Sequence, residues 1–297
     1  MAKEKFKDVR FSPESVAKIR LCNRIIAQYQ AQGLRLTLRQ LYYQLVTQNA
    51  IRNLEREYKN LSTLVSNARL TGLMDWNAIE DRIRTPRAAS EFNNLTELVE
   101  AALRAYRLPR WAGQDRYVEL WVEKDALAGV LEPLSRQYHV TLMVNRGYSS
   151  QSAMYESAQR FIDSGKPGIL FYLGDHDPSG EDMVRDIAAR LELFGADVKV
   201  EKLALTMAQV TQYNPPPNPA KMTDPRAAGY VDQFGDQSWE VDALPPNILA
   251  GIITAAFNGV VDEEAMDSVK AREERDKARL RDAVTNLEDD EEDDEDG

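Results

Sequence analysis

Two rhythms of apolar spacing divide the chain. Up to about residue 112, apolar residues recur every three or four positions, the helical period; beyond it, short apolar runs alternate with helical stretches. Ser12-Pro13-Glu14-Ser15 opens a first helix, with Ser12 as N-cap and Pro13 at the first helical position. Val16, Ile19, Ile25, Ile26 and Tyr29 give it an apolar face, and Gly33 ends it. Thr37 with Gln40 three residues on is a capping-box pattern, and the helix it starts contains Leu38-Arg39-Gln40-Leu41-Tyr42-Tyr43-Gln44-Leu45. A third helix runs from about Leu54 to Leu70, with Leu61, Leu64, Val65 and Ala68 as its buried stripe. It also carries Arg56, Lys59 and Arg69, the candidate DNA-binding side chains. Three short helices, the last basic, fit a helix-turn-helix or winged-helix module, with a purely structural bundle as the alternative. Asp75 to Asp81 reads as a short extra helix; Arg82, Arg84 and Arg87 follow, then a linking helix from Asn94 to Arg107.

The second half reads as βαβα. Strands are predicted at Arg116–Val122, Val140–Val144, Gly168–Leu173 and Val198–Leu205, each followed by a helical stretch. That alternation predicts a parallel sheet with right-handed crossovers. Prolines at 215–219 and 245–246 frame an irregular region, which Phe234, Trp239 and Val241 should pack onto the domain. Ile248–Phe257 is helical, and Asp262–Leu287 is a charged helix with little apolar stripe. The expected divisions are 1–111 (helical, DNA-binding), 112–259 (α/β), 260–287 (charged helix) and 288–297 (a disordered acidic tail).

Charge changes this picture more than composition does. The net charge is −11, yet residues 1–116 carry 20 Lys/Arg against 12 Asp/Glu, so the front of the chain suits a polyanion. The deficit lies behind it, with nine acids in the unbroken run Glu288 to Asp296. This tail is expected to compete with DNA for the basic front. A single cysteine, Cys22, excludes an internal disulfide, and no Cys/His cluster suggests zinc. No apolar run is long enough for a membrane span and the charged N-terminus is unlike a signal peptide. A cytoplasmic, nucleoid-associated protein is expected.

The candidate chemistry begins at Gly174-Asp175-His176-Asp177-Pro178-Ser179-Gly180, just past a strand buried on both faces. Asp175 and Asp177, one residue apart, point the same way and can hold one hard divalent cation. The plainer alternative is an acidic turn in which Asp177 only caps the next helix. Glu123 ends the first strand as Asp175 ends the third; if those strands are neighbours, three acids converge on one crevice. Three clustered acids repel unless a cation lies among them, and Mg²⁺, with Mn²⁺ as substitute, suits a few carboxylates plus substrate phosphate. On the second helix, Tyr42 joins the apolar stripe while Tyr43 lies about 200° round from Leu41. Tyr43 is thus expected exposed beside Arg39, either as a nucleophile with phenolate character or as an ordinary surface tyrosine.

Glu123, the turn Arg146-Gly147-Tyr148-Ser149 and Asp175-His176-Asp177-Pro178-Ser179-Gly180 together resemble the Toprim domain of the topoisomerase VI A subunit and its meiotic double-strand-break relative. Arg39-Gln40-Leu41-Tyr42-Tyr43 resembles the motif carrying that family's catalytic tyrosine. Trp239-Glu240-Val241-Asp242-Ala243-Leu244-Pro245 is similar to its downstream EALP-like segment. The resemblance implies a winged-helix tyrosine domain followed by a Toprim-type, Rossmann-like domain. It implies that Tyr43 attacks a phosphodiester of double-stranded DNA and becomes linked to a 5′ end, with Arg39 stabilising the developing charge. Glu123, Asp175 and Asp177 would hold Mg²⁺ against that phosphate. A homodimer is implied, because in that family the tyrosine serves the partner's Toprim site. A separate GHKL-type ATPase subunit would be needed for strand passage. Two alternatives stay open: a Toprim nuclease of a defence system with water as nucleophile, and a non-catalytic DNA-binding adaptor.

Overall fold

A computed structural model describes residues 3–79, 91–145 and 149–295, with only the backbone described at 284–295. The predicted Arg82, Arg84 and Arg87 and the Arg146-Gly147-Tyr148 part of the turn lie outside these residues. The chain begins with three helices, α1 (Pro13–Gln30), α2 (Leu38–Thr47) and α3 (Glu55–Leu70). Ser12 accepts the Ser15 N–H, and Thr37 and Gln40 close the reciprocal capping box. Ile19, Cys22, Ile25, Leu41, Leu45, Leu61, Val65 and Ala68 form the core between them. The chain before α1 is pinned along the end of α3, where the Phe6 and Lys7 N–H groups both donate to the Leu70 carbonyl. Among the described residues, no β hairpin follows α3. Of the helix predicted at 75–81, the described residues form a 3₁₀ turn, Trp76–Ala78, capped by Asp75, and residues 80–81 lie outside the described residues.

The linking helix α4 (Leu95–Ala105) leads to a four-stranded parallel sheet. Its strands are β1 (Tyr117–Val122), β2 (Thr141–Val144), β3 (Gly168–Leu173) and β4 (Val198–Ala204), in the order β2-β1-β3-β4. Between them run α5 (Ala128–Tyr138), α6 (Gln151–Asp163) and α7 (Pro178–Leu193). Strand alternation sorts the side chains onto two faces. Val118, Leu120, Val122, Ile169, Phe171 and Leu173 meet α5 and α10 (Pro246–Asn258) on one side. Trp121, Leu170 and Tyr172 meet α6 and α7 on the other. Each of these large side chains contributes about 1.5–3 kcal/mol by leaving water. Glu119 is the exception: fully buried, it is neutralised by a two-pronged pair with Arg160 at 2.7 and 2.9 Å and by the Trp121 indole N–H.

Between β4 and α10 the chain forms α8 (Met207–Tyr213), a two-stranded ribbon of β5 (Asn218–Pro219) and β6 (Gln237–Ser238), and α9 (Ala227–Phe234). The proline-rich region is therefore ordered: Trp239, Val241 and Leu244 are buried in the sheet's core. The last helix, α11 (Glu263–Glu295), runs past Leu287, where the sequence predicts its end, and its backbone is helical as far as Glu295 within the acidic run expected to be disordered. Adding a residue to an existing helix needs no new nucleus. Its base is fastened by Glu273, which accepts from the Leu108 N–H at 3.0 Å and pairs with Arg110 and Lys277. No helix among the described residues is long and apolar enough to cross a membrane.

Candidate metal centre

The order β2-β1-β3-β4 reverses direction between β1 and β3, and the crevice beyond the carboxyl ends of such a pair is where open α/β sheets bind ligands. β1 and β3 are adjacent, with Val122 opposite Leu173, so Glu123 leaves β1 beside Gly174 and next to Asp175, the second residue past β3. Glu123 Oε2 accepts the Asp175 N–H at 3.2 Å. Asp177 caps α7, its Oδ1 accepting the Gly180 N–H at 2.6 Å and the Ser179 hydroxyl at 2.9 Å. The capping alternative thus holds for one Asp177 oxygen. Gly180 is required here, since a Cβ would run into the Asp175 carbonyl oxygen.

Two more carboxylates complete the centre. The His176 and Trp239 backbones exchange hydrogen bonds of 2.8 and 2.9 Å, which lays the 239–243 segment beside the acidic turn. His176 itself faces away into Tyr230, Phe234 and Trp239, its Nδ1 2.8 Å from the Tyr230 hydroxyl. Glu240 and Asp242 then stand over Asp175, with one oxygen of each of the three within 4.8 Å of the others. Asp175 is anchored by the Val241 N–H, 2.9 Å from its Oδ1. Lys124 lies among these three acids, 2.8 Å from Asp175 and 3.3 Å from Asp242, and it also pairs with Glu240. Burial raises the Glu123 carboxyl above its ordinary value, and repulsion from Asp175 adds to it. Asp175 is likewise pushed up by burial, against the pull of Lys124.

The sequence places Tyr43 in solvent, and the structure overturns this. Tyr43 is buried because α2 is covered on both sides, by α1 and α3 and by the 241–243 turn, whose Ala243 joins the helical core. Its hydroxyl is 3.4 Å from Arg39. Burial pushes its pKa up to about 12; repulsion from Asp242 adds to this, and Arg39 pulls it the other way. The expected phenolate character is absent in this arrangement. Arg39 instead clamps the centre, its Nε 2.6 Å from Asp242 and its Nη2 2.7 Å from Glu240. Arg39 thus meets the acids of its own chain, with Tyr43 beside it.

Of the three basic residues on α3, Arg56 and Lys59 are exposed, and Lys59 pairs with Glu55 at 2.7 Å. Arg69 is committed to the fold: it donates to the Ile79 carbonyl at 2.6 Å and covers the Trp76 ring. Glu240, Asp242 and Lys124 were not singled out as site residues from sequence. Glu240 and Asp242 share the one-residue spacing of Asp175 and Asp177, a signal with no meaning until the segment is docked. Among the described residues, the carboxylates close enough to share a hard dication are Asp175, Glu240 and Asp242, faced by the cations Lys124 and Arg39; Glu123 adjoins them through the Asp175 N–H, and Asp177 caps α7. No known family model matches the chain, and no curated protein matches it in sequence.

Proposed function

We propose that this chain is a topoisomerase VI A-like, divalent-metal-dependent subunit that cleaves double-stranded DNA. In this reading the helical module is winged-helix-like and the α/β module Toprim-like. The observation that carries it is the meeting of Glu123 and Asp175 at adjacent strand ends, with Arg39 of the tyrosine helix tied into the same acidic centre. Glu123, Asp175 and Asp177 would hold Mg²⁺ or Mn²⁺, which would offset charge on the phosphate oxygens when bound. Arg39 supplies a fixed positive charge beside the Tyr43 hydroxyl. As the Tyr43 oxygen bonds to phosphorus, the bond to the 3′ oxygen breaks, the phenolic proton leaves, and the 3′ oxygen gains one. The protein is left on the 5′ end.

The burial of Tyr43 sets a condition on this chemistry: α2 must move from the 241–243 turn before the hydroxyl can meet a phosphate. The same burial favours a second reading, in which water is the nucleophile and Tyr43 is structural. Because Arg39 reaches the acids within one chain, a homodimer is not needed to bring the tyrosine helix to a centre; a dimer and an ATPase subunit remain parts of the proposal. Incubation with supercoiled DNA and Mg²⁺, assayed with and without protease, tests it. Wild type should yield protein-linked 5′ ends, and Tyr43→Phe should abolish them. Cleavage that persists unlinked in Tyr43→Phe assigns the nucleophile to water. Loss of no activity in Asp175→Ala with Asp177→Ala refutes both readings.

A further inference from the structure

We infer that Lys124 is a built-in cation filling the second of two adjoining cation positions, so that the centre takes one divalent ion and not two. The inference rests on the metal-dependent reading above. Asp175 is common to both positions. The first is the position proposed above for Glu123, Asp175 and Asp177, where Glu123 accepts the Asp175 N–H; at the second, Glu240 and Asp242 bring their oxygens within 4.8 Å of an Asp175 oxygen. Two-metal centres hold their ions about 3.5–4 Å apart, and a carboxylate placed between two sets of acids suits that arrangement.

Here the second position is taken by the chain itself. Lys124 Nζ contacts all three of its acids, and the side chain is only 15% exposed. The strand explains why. Glu123 extends the β1–β3 ladder, its N–H donating to the Leu173 carbonyl, so Glu123 and Lys124 leave the strand on opposite sides. One therefore reaches each side of Asp175. An ammonium offers three donors and a single charge. It holds Asp175, Glu240 and Asp242 together without an ion and keeps the 239–243 segment in place for Arg39. A dication could enter that position only by displacing it. Lys124 is a positioning residue for the carboxylates in this account, and a fixed charge beside the ion that Glu123, Asp175 and Asp177 would hold.

Counting bound Mn²⁺ on the full chain by electron paramagnetic resonance and equilibrium dialysis tests this without reference to activity. Wild type should bind one Mn²⁺ per chain, and Lys124→Arg should also bind one. Lys124→Met should double the count, and adding Glu240→Gln with Asp242→Asn should return it to one. Two ions on wild type, or one on a folded Lys124→Met, overturns the inference and leaves the metal-dependent reading standing. No ion on wild type overturns both. Lys124→Met leaves three acids facing each other and can fail to fold unaided. In that event millimolar Mn²⁺ should restore folding, and should cease to do so once Glu240 and Asp242 are neutralised; failure of Mn²⁺ to restore it counts against the inference.

Discussion

Replacing Arg39 by methionine removes the clamp between the tyrosine helix and the acidic centre while keeping most of the side chain's apolar bulk. Asp242 is fully buried and accepts from Arg39 at 2.6 Å, whereas the Arg39 side chain is 42% exposed. Removing one partner of a fully buried pair costs about 3–5 kcal/mol, and an exposed pair is worth about 0–1 kcal/mol. This pair is buried at one end and wet at the other, and Lys124 remains to face Asp242. The expected loss for Arg39→Met is therefore about 2 kcal/mol. In a chain of this size that is about 3 °C in Tm. Asp242→Asn alone and the double variant complete a cycle, read by urea unfolding. The coupling energy should be about 1–2 kcal/mol. A value below about 0.5 kcal/mol, the range of independent sites, would mean that Arg39 and Asp242 of one chain do not act on each other. The same-chain docking of Tyr43 would then fall.

Two other expectations follow from local geometry. Burial alone would raise the Glu273 carboxyl, but hydrogen bonds from Lys277, the Leu108 N–H and Arg110 outweigh it and bring it down to about 2. Its unfolded value is about 4.3, so the stabilisation is complete above that pH and fades as pH falls from there towards the folded value. The stability gap between wild type and Glu273→Gln should be about 3 kcal/mol at neutral pH and shrink between about pH 5 and pH 3; a gap that does not change with pH counts against the assignment. Gly180→Ala drives a Cβ against the Asp175 carbonyl, a backbone atom that can yield only by moving the acidic turn. It should cost about 1–3 kcal/mol despite alanine's better helix propensity, and weaken Mn²⁺ binding at least about tenfold. Unaltered Mn²⁺ affinity would show that the turn is not part of the centre.

Much of the fold was legible because it depends on short-range rules. Ser12, Thr37, Asn94 and Ser150 cap the helices they precede, and the four apolar runs are the four strands. The convergence of Glu123 with Asp175 was legible as a condition, met once β1 and β3 proved to be neighbours. Helices α8 and α9 were hidden among prolines, although Thr206 and Gln209 repeat the capping-box pattern. Arg69 looked like a free cation on a basic helix until the Trp76 turn folded over it.

By itself, then, the sequence determined the main helices of the first module, the four strands of the sheet and its parallel sense, and which carboxylates leave the strand ends. Those follow from caps, periods of 2 and 3.6, and residues close in the chain. Tertiary structure alone decided that Tyr43 is buried, that Glu240 and Asp242 join Asp175, and that Lys124 lies among them. Each depends on one segment about 200 residues beyond α2, placed by two backbone hydrogen bonds between His176 and Trp239. A helical period reports one buried face, and cannot report a second face covered by a distant part of the chain.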